Sequence, residues 1–390
     1  MYKIQTLNKI APAGLDAFPR ERYEIASEFQ HPDAILVRSF KMHEMELPST
    51  LKAIARAGTG VNNIPLEKCS TTGIVVFNTP GANANGVKEL VLAGMIISSR
   101  NICDAVAWAR QLKGNGEEVP KLVEKNKSRF AGSEVKGKKL GIVGLGAIGV
   151  MVANAAIALG MEVTGYDPFI SVEAAWGLSR AVKRAPGLEA LLGESDYVTI
   201  HVPLTETTRG MLNKERFAIM KKGVRLMNFA RGGLVNNRDL AEAIDAGIVE
   251  GYVTDFPDET LLNMDKVTAI PHLGASTRES EENCAAMAAE QVRDFLENGN
   301  VTNSVNYPDC QLPPRPTPRI VAATENVPNM LGQVTSVLAR HKVNIEEMLN
   351  KSKGAFAYNI IDIDREVDDV VMKEIRAIPH VIMARMLEGC

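Results

Sequence analysis

The stretch Lys138-Lys139-Leu140-Gly141-Ile142-Val143-Gly144-Leu145-Gly146-Ala147-Ile148-Gly149 decides the fold. A short apolar strand runs into a G-x-G-x-x-G turn, and an apolar helix pattern follows. Asp167, in the pair Asp167-Pro168, ends a second apolar run eighteen residues after Gly149. Strand, glycine turn, helix, strand and acid at this spacing are the parts needed to hold a dinucleotide. Gly144 permits the tight turn, Gly146 lets the backbone approach a pyrophosphate, and Gly149 lets helix and strand pack closely. The free N–H groups of Ala147, Ile148 and Gly149 open the helix and suit phosphate. Asp167 is placed to accept from ribose hydroxyls and to repel a 2′-phosphate, so the expected cofactor is NAD rather than NADP.

Composition sets the class. A chain of 390 residues should hold two or three domains. Its 44 basic and 47 acidic residues leave a net charge of −3, with no long run of one sign, which argues against nucleic acid or an anionic membrane as partner. The start at residues 1–6 reads as an edge of the first domain rather than a signal peptide. The longest apolar stretch, near 91–97, is too short to span a bilayer. Cys69, Cys103, Cys284, Cys310 and Cys390 show no C-x-x-C spacing and read as buried, reduced thiols of a cytoplasmic protein. No His/Cys cluster has metal-ligand spacing, so no metal is expected.

Outward from the glycine stretch, short apolar runs alternate with helical patterns. Runs at 34–37, 53–57 and 74–77 predict buried parallel strands before it. A helix pattern covers 88–111. After the fingerprint, strands are expected near 140–144, 162–166, 197–202, 224–228, 250–254 and 267–270, and a helix over about 279–298. This alternation predicts an α/β protein of doubly wound parallel sheets. Residues 305–318 carry Pro308, Pro313, Pro314, Pro316 and Pro318 and read as an extended linker. Residues 319–390 then read β-α-β-β-α-β, a small separate ferredoxin-like domain. The expected division is 1–96 with 283–304, then 97–282, a linker, and 319–390.

Three later segments carry chemistry: Asn228-Phe229-Ala230-Arg231-Gly232-Gly233, Thr254-Asp255-Phe256-Pro257-Asp258-Glu259, and Pro271-His272-Leu273-Gly274. Each follows a strand pattern and should emerge at the carboxyl edge of the sheet, where open α/β folds bind ligands. Oxidising a secondary alcohol needs a base for the hydroxyl proton, and a histidine suits that role near neutral pH. A neighbouring carboxylate would orient it, and a guanidinium would grip a substrate carboxylate. His272, Glu259 and Arg231 are the candidates. Taken singly, each also reads as an ordinary capping, loop or ion-pair residue. Asn228, Ala230, Arg231, Asp255, His272 and Gly274 are candidate cofactor contacts, as are His201, Val202, Pro203 and Thr208 in the segment 201–208.

As a set, these motifs resemble the D-2-hydroxyacid dehydrogenase family along the first three hundred residues. The resemblance implies two doubly wound domains, one for substrate and one for NAD. It implies Arg231 as substrate anchor, His272 as acid/base and Glu259 as its partner. Members usually carry Asp where Thr254 stands, and here the acid is one residue later, at Asp255. The Glu259–His272 gap is short. Lys88 replaces a common alanine and reads either as a cleft charge or as an exposed residue. With the C-terminal domain, the resemblance narrows to members acting on D-3-phosphoglycerate. It implies NAD-dependent oxidation to 3-phosphohydroxypyruvate, at the entry to L-serine biosynthesis, in a homodimer or homotetramer.

On that resemblance Arg38 with Ser39 and Arg56 with Gly58 and Thr59 are the candidate substrate contacts, together with Asn83, Arg231 and His272. The two arginines are the candidates for phosphate. Lys125, Lys127 and Arg129 read as a solvated face or as groups reaching a neighbour's cleft. The C-terminal domain resembles an ACT domain. Asn326 and Asn344 match asparagines that hold L-serine in serine-inhibited members, while Thr324 and Asn329 replace a histidine and a glycine. A domain used only for assembly is the alternative. Two other functions stay open: the same chemistry on another D-2-hydroxy acid, and a non-catalytic dinucleotide sensor of the corepressor kind.

Overall fold

The computed structural model describes residues 1–389, so Cys390 lies outside the described residues. The chain divides into two compact units, residues 83–280 and the remainder on either side of them.

The second unit is built on a seven-stranded sheet. Its strands are β6 (Lys139–Val143), β7 (Glu162–Tyr166), β8 (Lys183–Arg184), β9 (Tyr197–Ile200), β10 (Val224–Asn228), β11 (Val249–Thr254) and β12 (Val267–Ala269), numbered after five strands of the first unit. All pair in parallel, in the order β12-β11-β10-β9-β6-β7-β8. Strand order reverses between β6 and β9, the crevice where such sheets take ligands. The helix Ala147–Ala158 buries Gly149, Val152, Ala153 and Ala156, one stripe at helical spacing, against the sheet.

Where the apolar period reads as one helix over 88–111, the structure has two, Ala84–Arg100 and Ile102–Gln111, bent by 64°. Asn101 between them is left-handed, with φ of 50°, a conformation asparagine tolerates better than most side chains. Only the first helix is anchored, through Val87, Val91 and Met95, which pack with Ile142 and Val253. No residue of Ile102–Gln111 is buried. Cys103 lies on it and is exposed, contrary to the expectation of a buried thiol, whereas Cys69, Cys284 and Cys310 are buried. Among the described residues, no single helix is long and apolar enough to cross a membrane.

The first unit holds two sheets. One is parallel, with β1 (Tyr2–Leu7), β2 (Tyr23–Ala26), β3 (Ala34–Val37), β4 (Ala53–Arg56) and β5 (Val75–Phe77) in the order β2-β1-β3-β4-β5. The other is antiparallel, with β13 (Arg319–Glu325), β14 (Ile345–Lys353), β15 (Phe356–Ile363) and β16 (Val381–Leu387) in the order β14-β15-β13-β16. With helices Met330–Arg340 and Asp369–Arg376 this is the ferredoxin-like arrangement.

The C-terminal sheet is covered on both faces. Ile320, Ala322, Ile361 and Ile363 pack on its own helices. Val321, Ala323, Tyr358 and Ile360 join a core with Ile4, Phe77 and Phe295. Residues 305–318 are accordingly no free linker: Tyr307, Cys310 and Leu312 are buried in that core, and Val301 pairs with Cys310. Two arginines fasten the sheet to the end of the helix Arg278–Asn298. Arg319 forks onto Asp362 at 2.6 and 3.0 Å and donates to the carbonyl of Asn298 at 2.8 Å. Arg385 donates to the carbonyls of Leu296 and Phe295, with its guanidinium 4.5 Å from the Phe295 ring centre. Cations on terminal carbonyls are what a helix C-terminus favours.

Candidate active site

Parallel pairing brings the loops after β6, β7, β9, β10, β11 and β12 to one edge of the seven-stranded sheet. Around β6 the glycines are required by geometry. Gly144 has φ of 93°, and a Cβ there would lie 2.6 Å from the His201 carbonyl oxygen. A Cβ on Gly149 would drive into the Gly144 carbonyl. Beside Gly146 there is open space, the room a pyrophosphate needs over the N–H groups of Ala147 and Ile148. Asp167 follows β7. Its carboxylate accepts from Leu145 N and Phe169 N, both at 2.8 Å. It therefore braces the glycine turn while facing the crevice edge, next to exposed Pro168.

After β9, the Val202 side chain lies against the glycine turn, 2.9 Å from where a Gly144 Cβ would stand. Thr208 donates to the Pro203 carbonyl at 2.6 Å and shapes the 203–208 turn. His201 shares a hydrogen bond with Thr199 Oγ1 at 3.0 Å through Nε2, while Nδ1 is buried without a partner. Burial pushes its pKa down to about 4, so the ring is neutral at pH 7. The unfolded chain, with an ordinary histidine near 6.5, takes up the extra proton, so stability should fall as pH drops from about 6.5 to 4. His201→Asn should remove about 2 kcal/mol of that fall. Urea midpoints at pH 7, 5.5 and 4.5 for the two proteins check it.

After β10, Asn228 folds the R-G-G turn: Oδ1 accepts from Ala230 N at 3.2 Å and Nδ2 donates to the Arg231 carbonyl at 2.9 Å. Arg231 is exposed, its Nη1 turned back to the Ala230 carbonyl at 2.7 Å. After β11, Thr254 is buried and ties the strands, donating to the Asn228 carbonyl at 2.9 Å. The acid that follows it is fully buried. Asp255 Oδ2 accepts from Gly274 N at 3.0 Å, which fixes the loop carrying His272. Desolvation raises the Asp255 pKa, opposed by the N–H groups of Gly274 and Leu273 and by His272. Its Oδ1 is buried without a partner, an acceptor suited to the carboxamide of a nicotinamide. The exposed His272 ring lies 4.7 Å from that of Phe256.

Glu259 bonds within its own short helix instead. It opens the helix Glu259–Leu262, is exposed, and its Oε1 accepts from Asn263 Nδ2 at 3.4 Å. Among the described residues no hydrogen bond or ion pair joins it to His272. The carboxylate beside His272 is Asp255, which the F-x-x-E spacing passes over. The signal was present: an acid immediately after a buried strand end has no solvent to turn to. Lys88 is mostly buried and pairs with Glu89 at 3.7 Å, so it is not simply a solvated residue. Lys125, Lys127 and Arg129 are exposed.

The candidate substrate residues of the first unit form their own cluster. Arg38 Nη2 donates to Glu281 Oε1 at 2.6 Å, and Arg56 Nε donates to the Arg38 carbonyl at 3.0 Å. Gly58 has φ of 150° and a Cβ on it would meet the Arg56 guanidinium at 2.8 Å. Asn78 Nδ2 holds the Thr59 carbonyl at 2.7 Å, and Asn8 Oδ1 accepts from Ser39 N at 3.1 Å. Asn83 belongs to the other unit, just ahead of the helix Ala84–Arg100. In the C-terminal domain, Asn326 bonds the Gly354 carbonyl at 3.1 Å and Asn344 N bonds Asp364 Oδ1 at 3.1 Å. β15 pairs its Phe356 with Glu325 and its Ile363 with Ile345, so the two asparagines stand at opposite ends of that strand and form no joint pocket within one chain.

Residues 92–274 match the family described as D-isomer specific 2-hydroxyacid dehydrogenase, NAD binding domain. This stretch carries that family's NAD-binding domain. It is 37% identical over 295 residues to a D-3-phosphoglycerate dehydrogenase of Methanocaldococcus jannaschii, covering 73% of this chain and 54% of that one. It is 38% identical over 285 residues to a D-3-phosphoglycerate dehydrogenase of Bacillus subtilis, covering 71% and 52%. The chain thus spans about half the length of the curated relatives it matches. Among solved structures, an NAD+-bound 3-phosphoglycerate dehydrogenase of Entamoeba histolytica is 29% identical with a TM-score of 0.60, covering 78% of this chain and 98% of that one. The apo D-mandelate dehydrogenase of Rhodotorula graminis, at 23% identity, TM-score 0.65 and coverage of 77% and 96%, shares the fold.

Proposed function

We propose that the protein is an NAD-dependent dehydrogenase that oxidises D-3-phosphoglycerate to 3-phosphohydroxypyruvate, the entry step of L-serine biosynthesis. The observation that carries the reading is the single sheet edge presenting the glycine cradle, Arg231, buried Asp255 and His272. When bound, NAD supplies the acceptor for the hydride that leaves C2 of the substrate. Gly144, Gly146, Ala147, Ile148 and Gly149 would hold its pyrophosphate, Asp167 its ribose hydroxyls, and Asp255 Oδ1 its carboxamide.

His272 takes the C2 hydroxyl proton, with imidazole as the general base. Arg231 swings off the Ala230 carbonyl and forks onto the substrate carboxylate. Asp255 holds the His272 loop through Gly274 N. Glu259, turned to Asn263 in this structure, is the carboxylate that would orient His272 once substrate is bound, since hydrogen bonds of a catalytic pair are often unmade before substrate arrives. Arg38 and Arg56 hold the phosphate, with the backbone of Gly58 and Thr59 adding donors.

The test is NADH formation at 340 nm with NAD and D-3-phosphoglycerate, beside D-lactate and D-2-hydroxyglutarate. Turnover of phosphoglycerate, with KM raised at least tenfold in Arg38→Ala and in Arg56→Ala, supports the reading. Turnover of an unphosphorylated acid alone overturns the substrate, and NADH binding without turnover in either direction overturns the activity. The reading includes a homodimer or homotetramer; a molecule of L-serine gripped by both Asn326 and Asn344 would have to bridge two copies.

A further inference from the structure

The proposed reaction uses Arg38 but gives no role to Glu281, its ion-pair partner. Glu281 sits in the first turn of the helix Arg278–Asn298, where an acidic side chain is favoured by the helix dipole. Its Oε1 lies 2.6 Å from Arg38 Nη2, with the two side chains 41% and 42% exposed. Arg56 is held close by, through its Nε on the Arg38 carbonyl. The two guanidinia and the Glu281 carboxylate all act on the same buried thiol, Cys284. Arg38, Arg56 and Glu281 therefore stand close to one another around this thiol.

A carboxylate on a guanidinium at hydrogen-bond distance makes the contact that an incoming phosphate oxygen would make. With half of the pair open to solvent, the contact is exchangeable rather than a permanent buried bridge. A dianion reaching Arg38 must either displace Glu281 or sit beside a like charge, and both weaken its binding.

We propose that Glu281 is an intramolecular competitor for the anionic end of the substrate: it occupies Arg38 when the site is empty and sets how tightly a phosphate is held. This rests on the assignment of Arg38 and Arg56 to phosphate. It makes Glu281 a specificity residue acting through Arg38, with no part in proton or hydride transfer. Removing its charge should tighten the site. A residue needed to hold Arg38 in place would do the opposite.

The experiment compares wild type, Glu281→Gln, Arg38→Ala and the double variant in two assays. Calorimetric titration with inorganic phosphate reads anion binding without turnover. Steady-state kinetics with D-3-phosphoglycerate read KM and kcat separately. Glu281→Gln should bind phosphate 3- to 10-fold more tightly and lower KM by a similar factor, with kcat within twofold of wild type. In the Arg38→Ala background the same substitution should change neither constant. Weaker phosphate binding or a raised KM in Glu281→Gln overturns the proposal, because Glu281 would then be a support for Arg38. An equal gain with and without Arg38 overturns it as well, since the effect would be general charge. If wild type binds phosphate but does not oxidise phosphoglycerate, the reaction assignment fails, and the titration still decides the role of Glu281.

Discussion

His272→Ala should lower kcat/KM for D-3-phosphoglycerate by about 10³-fold while leaving NADH affinity within a few-fold of wild type. The size follows from the role. Without a base at that position the hydroxyl proton must leave to water as the hydride departs, and general base catalysis contributes about 10²–10⁴. The sparing of NADH follows from the position. His272 is exposed and packs on Phe256, while the loop itself is held by Asp255 on Gly274 N, a bond the substitution does not touch. NADH fluorescence titration and initial rates at 340 nm read the two quantities on one preparation. Glu259→Gln provides the companion measurement: a carboxylate that orients His272 in the bound state should cost kcat while NADH affinity stays within a few-fold of wild type. A rate loss below tenfold in His272→Ala would remove it from the role of base.

Arg319→Met should destabilise the first unit by about 3 kcal/mol without changing the chemistry. Arg319 is 4% exposed and Asp362 wholly buried. Removing the guanidinium leaves a buried carboxylate, with Arg315 Nε at 3.7 Å as its remaining charged neighbour. It also strips a donor from the carbonyls of Asn298 and Pro313. Breaking a buried pair from one side costs about 3–5 kcal/mol, whereas replacing both members by apolar groups is often nearly neutral. Arg319→Met with Asp362→Leu should therefore recover about half of the loss, the lost Arg319 bonds to the carbonyls accounting for the rest. Urea midpoints for the wild type and three variants, with kcat measured on each, check the ledger. A single variant as stable as wild type would show that the fork is not what holds the C-terminal sheet.

What could be read in the chain was what depends on neighbours in sequence. Gly144 needs a positive φ and Gly149 must touch the Gly144 carbonyl, so strand, turn and helix were visible together. The order of the C-terminal strands was legible for the same reason. The break at Asn101 was not, because Ile102 and Val106 continue the apolar period, and what ends the first helix is one left-handed residue, after which the second buries nothing. The role of Asp255 was hidden by spacing: F-x-x-E draws attention to Glu259, while burial at the end of β11 selects the acid next to Thr254. The docking of the C-terminal sheet had a trace in the unbroken run 320–323, which is how a strand covered on both faces reads. The partner for the second face, Phe295 and its neighbours, lies outside any local pattern.

The first unit is assembled from the two ends of the chain. Val321, Tyr358 and Leu387 share a core with Ile4 and Phe77, so more than two hundred residues of synthesis separate the halves of one hydrophobic interior. The second unit is continuous in sequence and has all its strands once residue 269 has emerged. During translation at about 5–20 residues per second, the N-terminal sheet therefore waits for its cover for about ten seconds or more. In that interval its unclosed apolar surface is the part of the nascent protein that chaperones would meet, and a chain released early, short of β16, should aggregate through that surface while its dinucleotide fold is already formed.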